Sequence, residues 1–173
     1  KHNKIAMKVY NTSQIRNIAL VGGNKAGKTS LAEAMAFNSG IITRRGTIED
    51  GNTISDYRDI EIERKGSVVS TVLYAECGDK KLNIIDVPGF TDLQGELMSA
   101  LPVSEAAVLV VNAQAGVEVG TEVALRYANN LNTPVIIAMN QLDAEKANFD
   151  DQIRALQEEV GEKLTVVQYP INA

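Results

Sequence analysis

The chain has 173 residues, enough for one domain with one sizeable core. Its 22 acidic and 17 basic residues give a net charge of −5, which argues against bulk electrostatic attachment to nucleic acid, and no sequence-specific nucleic-acid binding is expected. Hydrophobic residues at 45% and charged residues at 23% exclude broad disorder, and a single cysteine, Cys77, excludes an internal disulfide.

The N-terminal stretch KHNKIAMKVYNTSQ is polar and carries no secretory signal. Met7 reads as a native start, with residues 1–6 a cloning remnant and 7–173 the domain. No apolar run reaches the roughly 18 residues of a membrane span, so no membrane partner and a cytoplasmic location are expected. IRNIALVGG predicts a strand over Ile15 to Val21, closed by glycine. GKTSLAEAMAFNSG predicts a helix ended by Gly40 at a C-terminal cap. Residues 41–66 are polar with little period and read as a long, mobile loop, of the kind that is usually functional. SVVSTVLYAEC and KLNIIDV read as a hairpin joined by GDK, with Cys77 as a buried small apolar residue. A short helix is expected over about 94–101, then a doubly buried strand in AAVLVVNA and a helix in VGTEVALRYANNLN. PVIIAMN reads as another buried strand, NFDDQIRALQEEVGE as a helix, and TVVQYP as a last short strand. This alternation predicts a three-layer α/β/α fold around a mainly parallel sheet with one antiparallel edge strand.

Sheets of this kind bind ligands beyond the carboxyl ends of their strands, so the residues there matter most. After the first strand comes GGNKAGKT, residues 22–29, which satisfies the phosphate-loop spacing G-x-x-x-x-G-K-[ST] between a strand and a helix. Gly22, Gly23, Asn24, Lys25, Ala26 and Gly27 would wrap backbone N–H groups around phosphate oxygens, helped by the helix start at Lys28, Thr29 and Ser30. Lys28 adds a full charge for the β and γ phosphates, and the Thr29 hydroxyl suits Mg²⁺. After the third strand comes DVPG, in which Asp86 suits a magnesium water shell, Pro88 shapes the turn, and Gly89 can offer its N–H to a γ-phosphate. After the fifth strand comes NQLD: Asp143 can accept from guanine N1 and N2, and Asn140 can bond the O6 and N7 side. Each motif is short, but three in order, each after a strand, point to GTP or GDP with Mg²⁺.

With these motifs in place the chain resembles the translational GTPases, most closely the G domain of elongation factor G, and also ribosome-protection proteins. The resemblance runs from Ile15 onward and includes EDG…DYRDIEIERKG, DVPGFTDL, the stretch from AAVLVVNA to NQLD, and VVQYPIN. It implies a P-loop NTPase fold of the Ras-like G-domain type and the ribosome as partner. It also implies that the chain is the N-terminal part of a longer factor, since a later guanine-supporting motif of the family would follow Ala173.

Four positions depart from the family pattern. The family histidine that helps place the attacking water is Phe90, which can neither donate nor conventionally accept a hydrogen bond; either hydrolysis loses on the order of 10²-fold, or Phe90 packs in an apolar gate and another group orients the water. The family aspartate three positions before the loop lysine is Lys25, whose ammonium either replaces a monovalent cation near the β–γ bridge or stands exposed at the loop tip. The family Arg-Gly-Ile-Thr is RKGSVVS, offering Ser67 or Val68 at the metal-binding threonine, with Ser67 the preferred ligand beside Thr29 and Asp86. The guanine-motif lysine is Gln141, which lowers affinity while Asp143 keeps base preference. The expected function is therefore a GTP-binding domain of an elongation factor G-like ribosomal factor, with Lys28 and Gly89 present in the catalytic set and Phe90 inactive. The alternatives are a fully active ribosome-stimulated GTPase, a ribosome-binding module keeping only the fold, and an ATP-using enzyme.

Overall fold

The computed structural model describes residues 8–171; the expected remnant at 1–6 and the start at Met7 lie outside them. Strands β1 (Ile15–Val21), β2 (Thr71–Cys77), β3 (Lys80–Asp86), β4 (Ala106–Asn112) and β5 (Val135–Asn140) form one sheet in the order β2-β3-β1-β4-β5. β1 runs parallel to both β3 and β4, β4 runs parallel to β5, and β2 is the antiparallel edge. β1 takes the centre because it can be buried on both faces: Ala19, Leu20 and Val21 are at most 1% exposed. Alternate side chains then feed two cores.

One core lies under helix α1 (Lys28–Asn38), where Ala32 meets Leu20, Leu73, Ala75 and Ile84. The other lies under α3 (Gln94–Ala100), α4 (Val119–Asn130) and α5 (Phe149–Val160). There Leu97, Val123, Ala124 and Leu156 join Ala19, Val21, Leu109 and Val111. Each large aliphatic side chain removed from water stabilises by about 1.5–3 kcal/mol, so the two cores hold the sheet between helices as three layers. α1 ends as the glycine predicted: Gly40 has φ +75°, its N–H bonds the Phe37 carbonyl at 3.0 Å, and the Ile41 N–H bonds Ala36 at 3.0 Å.

Register brings the motif residues to one edge of the sheet. Asp86 lies opposite Leu20 across β3 and β1, and Asn140 lies opposite Asn112 across β5 and β4. Among the described residues no helix is long and apolar enough to cross a membrane.

Four expectations fail. PVIIAMN is not a buried strand: it forms β5 at the outer edge of the sheet, where Ile136 is exposed. Residues 41–66 contain a helix, α2 (Asp59–Arg64), and are tied to the body. The buried Glu33 carboxylate accepts from the Gly46 N–H at 2.7 Å and the Ile54 N–H at 3.0 Å, and such long-range bonds leave no periodic trace in the sequence. Residues 165–170 form no strand: Val167 and Tyr169 are exposed, and the Tyr169 ring meets Phe149 of α5 edge-to-face, 5.2 Å between centroids, instead of joining the sheet. Cys77 is exposed rather than buried, because it closes the edge strand at a two-residue turn of Gly78 and Asp79.

Candidate nucleotide-binding site

The loop between β1 and α1 is built from backbone geometry. Gly22 has φ +135° and Gly27 has φ +96°, and a Cβ on either would strike the Val110 carbonyl or the Asn140 amide. Lys25 takes φ +58°, a left-handed conformation that glycine adopts more readily. Gly22, Gly23 and Ala26 are buried, whereas the Asn24 and Lys25 side chains are exposed and Ser30 is half-buried. The Lys25 ammonium thus stands at the loop tip in solvent.

Lys28 is buried and folds back over the loop, donating to the Gly23 carbonyl at 2.7 Å and the Gly22 carbonyl at 3.2 Å. Burial pushes its pKa down to about 8, against the pull of Asp86, Glu118 and Asp56. A Cβ on Gly89 would collide with the Lys28 ammonium and the Gly23 carbonyl, so only glycine brings this backbone so close to the loop.

Opposite Lys28 lie the groups suited to a divalent ion. Thr29 Oγ1 and Ser67 Oγ share a buried hydrogen bond of 3.1 Å. The Val68 N–H instead donates to Glu61 at 3.0 Å. Asp86 is fully buried; its Oδ2 accepts from Ser55 Oγ at 2.6 Å and its Oδ1 has no partner. Burial raises its pKa, while the Ser55 and Thr29 hydroxyls and the Lys28 ammonium draw it back. Asp56, 4% exposed, completes a hydrogen bond through neither oxygen. Its pKa is pushed up to about 6 by burial, offset by the nearby Ser67 hydroxyl and Lys28 and reinforced by Asp86 and Glu61. Three orphaned carboxylate oxygens beside two hydroxyls make a site short of positive charge, and such groups cost free energy unless paired. The residues therefore fit a hydrated Mg²⁺, which takes hard oxygens and keeps several waters.

Residues 55–70 reach this site because Glu61, fully buried, gathers the backbone around it. It accepts from the N–H groups of Val68 at 3.0 Å, Val69 at 3.2 Å and Arg58 at 3.3 Å. Phe90, half-buried, sets its ring against this segment, with Cε2 3.5 Å from where a Cβ on Gly66 would stand. At the other end, Asn140 Nδ2 donates to the Ala26 carbonyl at 2.9 Å, and Gln141 Nε2 to the Lys25 carbonyl at 2.9 Å. Asp143 is exposed on the turn after β5.

A family model described as the elongation factor Tu GTP binding domain matches residues 13–171. The chain belongs to this family. Among relatives of this GTP-binding domain, an elongation factor G-like protein of Thermotoga maritima is 37% identical over 159 residues, spanning 92% of this chain and 22% of the relative. Elongation factor G of Mycoplasma genitalium is 34% identical, spanning 91% of this chain and 23% of the relative. The mitochondrial ribosome-releasing factor 2 of Candida dubliniensis is also 34% identical, over 91% of this chain and 20% of the relative. A crystal structure from Thermus thermophilus superposes with a TM-score of 0.82 at 34% identity, covering 86% of this chain and 22% of that one. Translation elongation factor SelB of Methanococcus maripaludis, solved with the GTP analogue GppNHp, shares the fold, with a TM-score of 0.61 at 18% identity over 88% of this chain and 26% of that one. The chain thus spans about a quarter or less of the curated relatives it matches. Its fold is the Ras-like G domain expected from the motifs, and membership of this GTP-binding family implies a guanine nucleotide as ligand.

The structure brings together the predicted Lys28, Thr29, Ser67, Asp86, Gly89 and Phe90 around the loop between β1 and α1, and Asn140 and Gln141 behind that loop. Sequence reasoning did not single out Ser55, Asp56, Glu61 or Glu33. Asp56 and Glu61 lay inside the stretch that carried the resemblance, DYRDIEIERKG, but nothing in their spacing marks a buried carboxylate.

Proposed function

We propose that this chain is the GTP-binding domain of an elongation factor G-like factor that acts on the ribosome, and that it uses GTP chiefly as a ligand, with slow hydrolysis. The ribosome enters through the name of one relative, ribosome-releasing factor 2, and through the resemblance to elongation factor G. Lys28 would leave the Gly22 and Gly23 carbonyls and take up β and γ phosphate oxygens. The Gly89 N–H, next to Lys28, would meet the γ-phosphate and so distinguish GTP from GDP. Thr29 and Ser67 would hold Mg²⁺ directly and Asp86 and Asp56 through its waters, and the ion would neutralise phosphate charge. Asn140 and Asp143 would read the guanine edge. The Lys25 ammonium, in solvent, takes no part in this reading.

The observation that carries slow hydrolysis is Phe90. Its hydrocarbon ring covers Gly66 and helps wall a cavity of about 20 Å³ with Val21, Pro88, Leu97 and Val123. It therefore supports the closed arrangement of 66–69 over the site while offering an attacking water no acceptor. The test is multiple-turnover GTP hydrolysis by the protein in its full natural length, with and without ribosomes, beside Phe90→His. Turnover near background in the parent is expected, with a rise on the order of 100-fold in Phe90→His if water placement is the sole defect. Brisk ribosome-stimulated turnover by the parent would sink the reading and make the domain an ordinary translational GTPase.

A further inference from the structure

Asn112 ends β4 beside Asn140 and works through both ends of its side chain. Its Oδ1 accepts from the backbone N–H groups of Gln114 at 2.8 Å and Ala115 at 3.1 Å, which turns Nδ2 the other way. Nδ2 donates to Gln141 Oε1 at 2.8 Å. With its oxygen so occupied, Gln141 presents Nε2 to the Lys25 carbonyl at 2.9 Å. A backbone turn, two neutral amides and one phosphate-loop carbonyl thus form a single run of hydrogen bonds. The last bond joins two residues in the left-handed region, Lys25 and Gln141, each at φ +58°. Non-glycine residues persist there only when their surroundings hold them.

We propose that Asn112 is a positioning residue for nucleotide binding: through Gln141 it holds Lys25 in the conformation that turns the loop N–H groups inward, so the loop is set before phosphate arrives. The proposal rests on the nucleotide-binding reading above. It places the work of Gln141 on the phosphate side of the site rather than over the base. The Gln141 amide accepts from Asn112 and donates to Lys25 at once, whereas a lysine could donate to Lys25 but not accept from Asn112 Nδ2, so the relay is particular to glutamine at 141. Setting the loop in advance removes an ordering cost from binding, so affinity rises equally for every nucleotide that uses the loop.

The test compares Asn112→Ala, Asn112→Asp, Gln141→Ala and the Asn112→Ala/Gln141→Ala double variant with the parent, by titration with fluorescent GTP, GDP and IDP. Amide exchange at residues 23–27 is measured alongside without nucleotide. Asn112→Asp keeps an oxygen for the 114–115 turn, removes the donor and adds a negative charge, so its loop exchange without nucleotide, rather than its affinity, separates the relay from a folding defect. Each single variant is expected to weaken GTP and GDP by one factor, about 5–10-fold, with the GDP to IDP ratio unchanged and loop exchange faster. The double variant should be no weaker than Gln141→Ala, and Asn112→Ala should change nothing further in a Gln141→Lys background. Additive losses, or a falling GDP to IDP ratio, overturn the relay and put Gln141 on the base. If the parent binds no nucleotide, the binding reading fails by itself. Loop exchange then decides the relay: acceleration in Asn112→Asp supports it, and unchanged exchange overturns it.

Discussion

The phosphate loop at 22–29 and the segment at 46–70 face each other across the same site, yet they take their shapes from different sources. The loop is shaped locally, by glycines at positive φ and by close backbone approaches that a Cβ would block. The segment is shaped from a distance. Glu33 on α1 holds its first half, Glu61 gathers its second, and Ser55 and Ser67 fasten it to Asp86 and Thr29. A loop shaped mainly by its own backbone needs outside side chains only at Lys25 and Ala26, whose carbonyls Gln141 and Asn140 hold. A segment held by buried carboxylates can let go as a unit, which is the behaviour a γ-phosphate sensor needs.

Two substitutions sharpen this contrast. Lys28→Ala removes the buried positive charge of the loop and leaves the exposed Lys25, with the loop's form left to the glycines. Nucleotide affinity should fall on the order of 100-fold, nearly 3 kcal/mol, with little loss of thermal stability, as read by calorimetric titration and melting. A large loss of stability would show that the loop depends on its lysine after all. Glu61→Ala acts on the other region. Three backbone N–H groups lose their acceptor and the Arg58 guanidinium loses an ion pair at 3.6 Å, at a cost of about 2 kcal/mol confined to residues 55–70. Amide exchange should accelerate there and not at 22–29, and the preference for GTP over GDP should shrink. Acceleration spread over both regions would merge what this comparison separates.

The same division explains what was legible in the sequence. The glycine and lysine spacing of GGNKAGKT reports a local conformation, so the loop, its helix and the strand before it could all be placed. Asp86 could be placed because strand ends carry ligands in such sheets. Glu61 could not: its role depends on Val68 and Val69 returning to it, and a polar, aperiodic run shows no such return. Asp56 was equally hidden, one acidic residue among several in DYRDIEIERKG. TVVQYP failed for the opposite reason, since its apolar alternation was legible while the strand partner it needed was not there among the described residues. Gln141 was read as a weakened contact to the base, because its two bonds to Lys25 and Asn112 join parts of the chain that sequence spacing does not connect.

The smallest effect tests whether the charge imbalance at the site is real. Asp56 has its pKa raised to about 6 from an ordinary 3.8, and Asp86 is raised as well, both by burial. Between those values the folded protein binds more protons than the unfolded chain. Stability therefore declines as pH rises through about 6, and it is recovered on acidification. In Mg²⁺-free and nucleotide-free protein, unfolding free energy should rise by about 1 kcal/mol between pH 7 and pH 5 on account of Asp56. Asp56→Asn should flatten the profile and stabilise the protein at pH 7, because it removes a buried charge that has no partner. Saturating Mg²⁺ and GDP should flatten it too, by supplying the missing positive charge. A rise that survives both changes would locate the titrating group elsewhere and leave the segment held by its hydroxyl contacts alone.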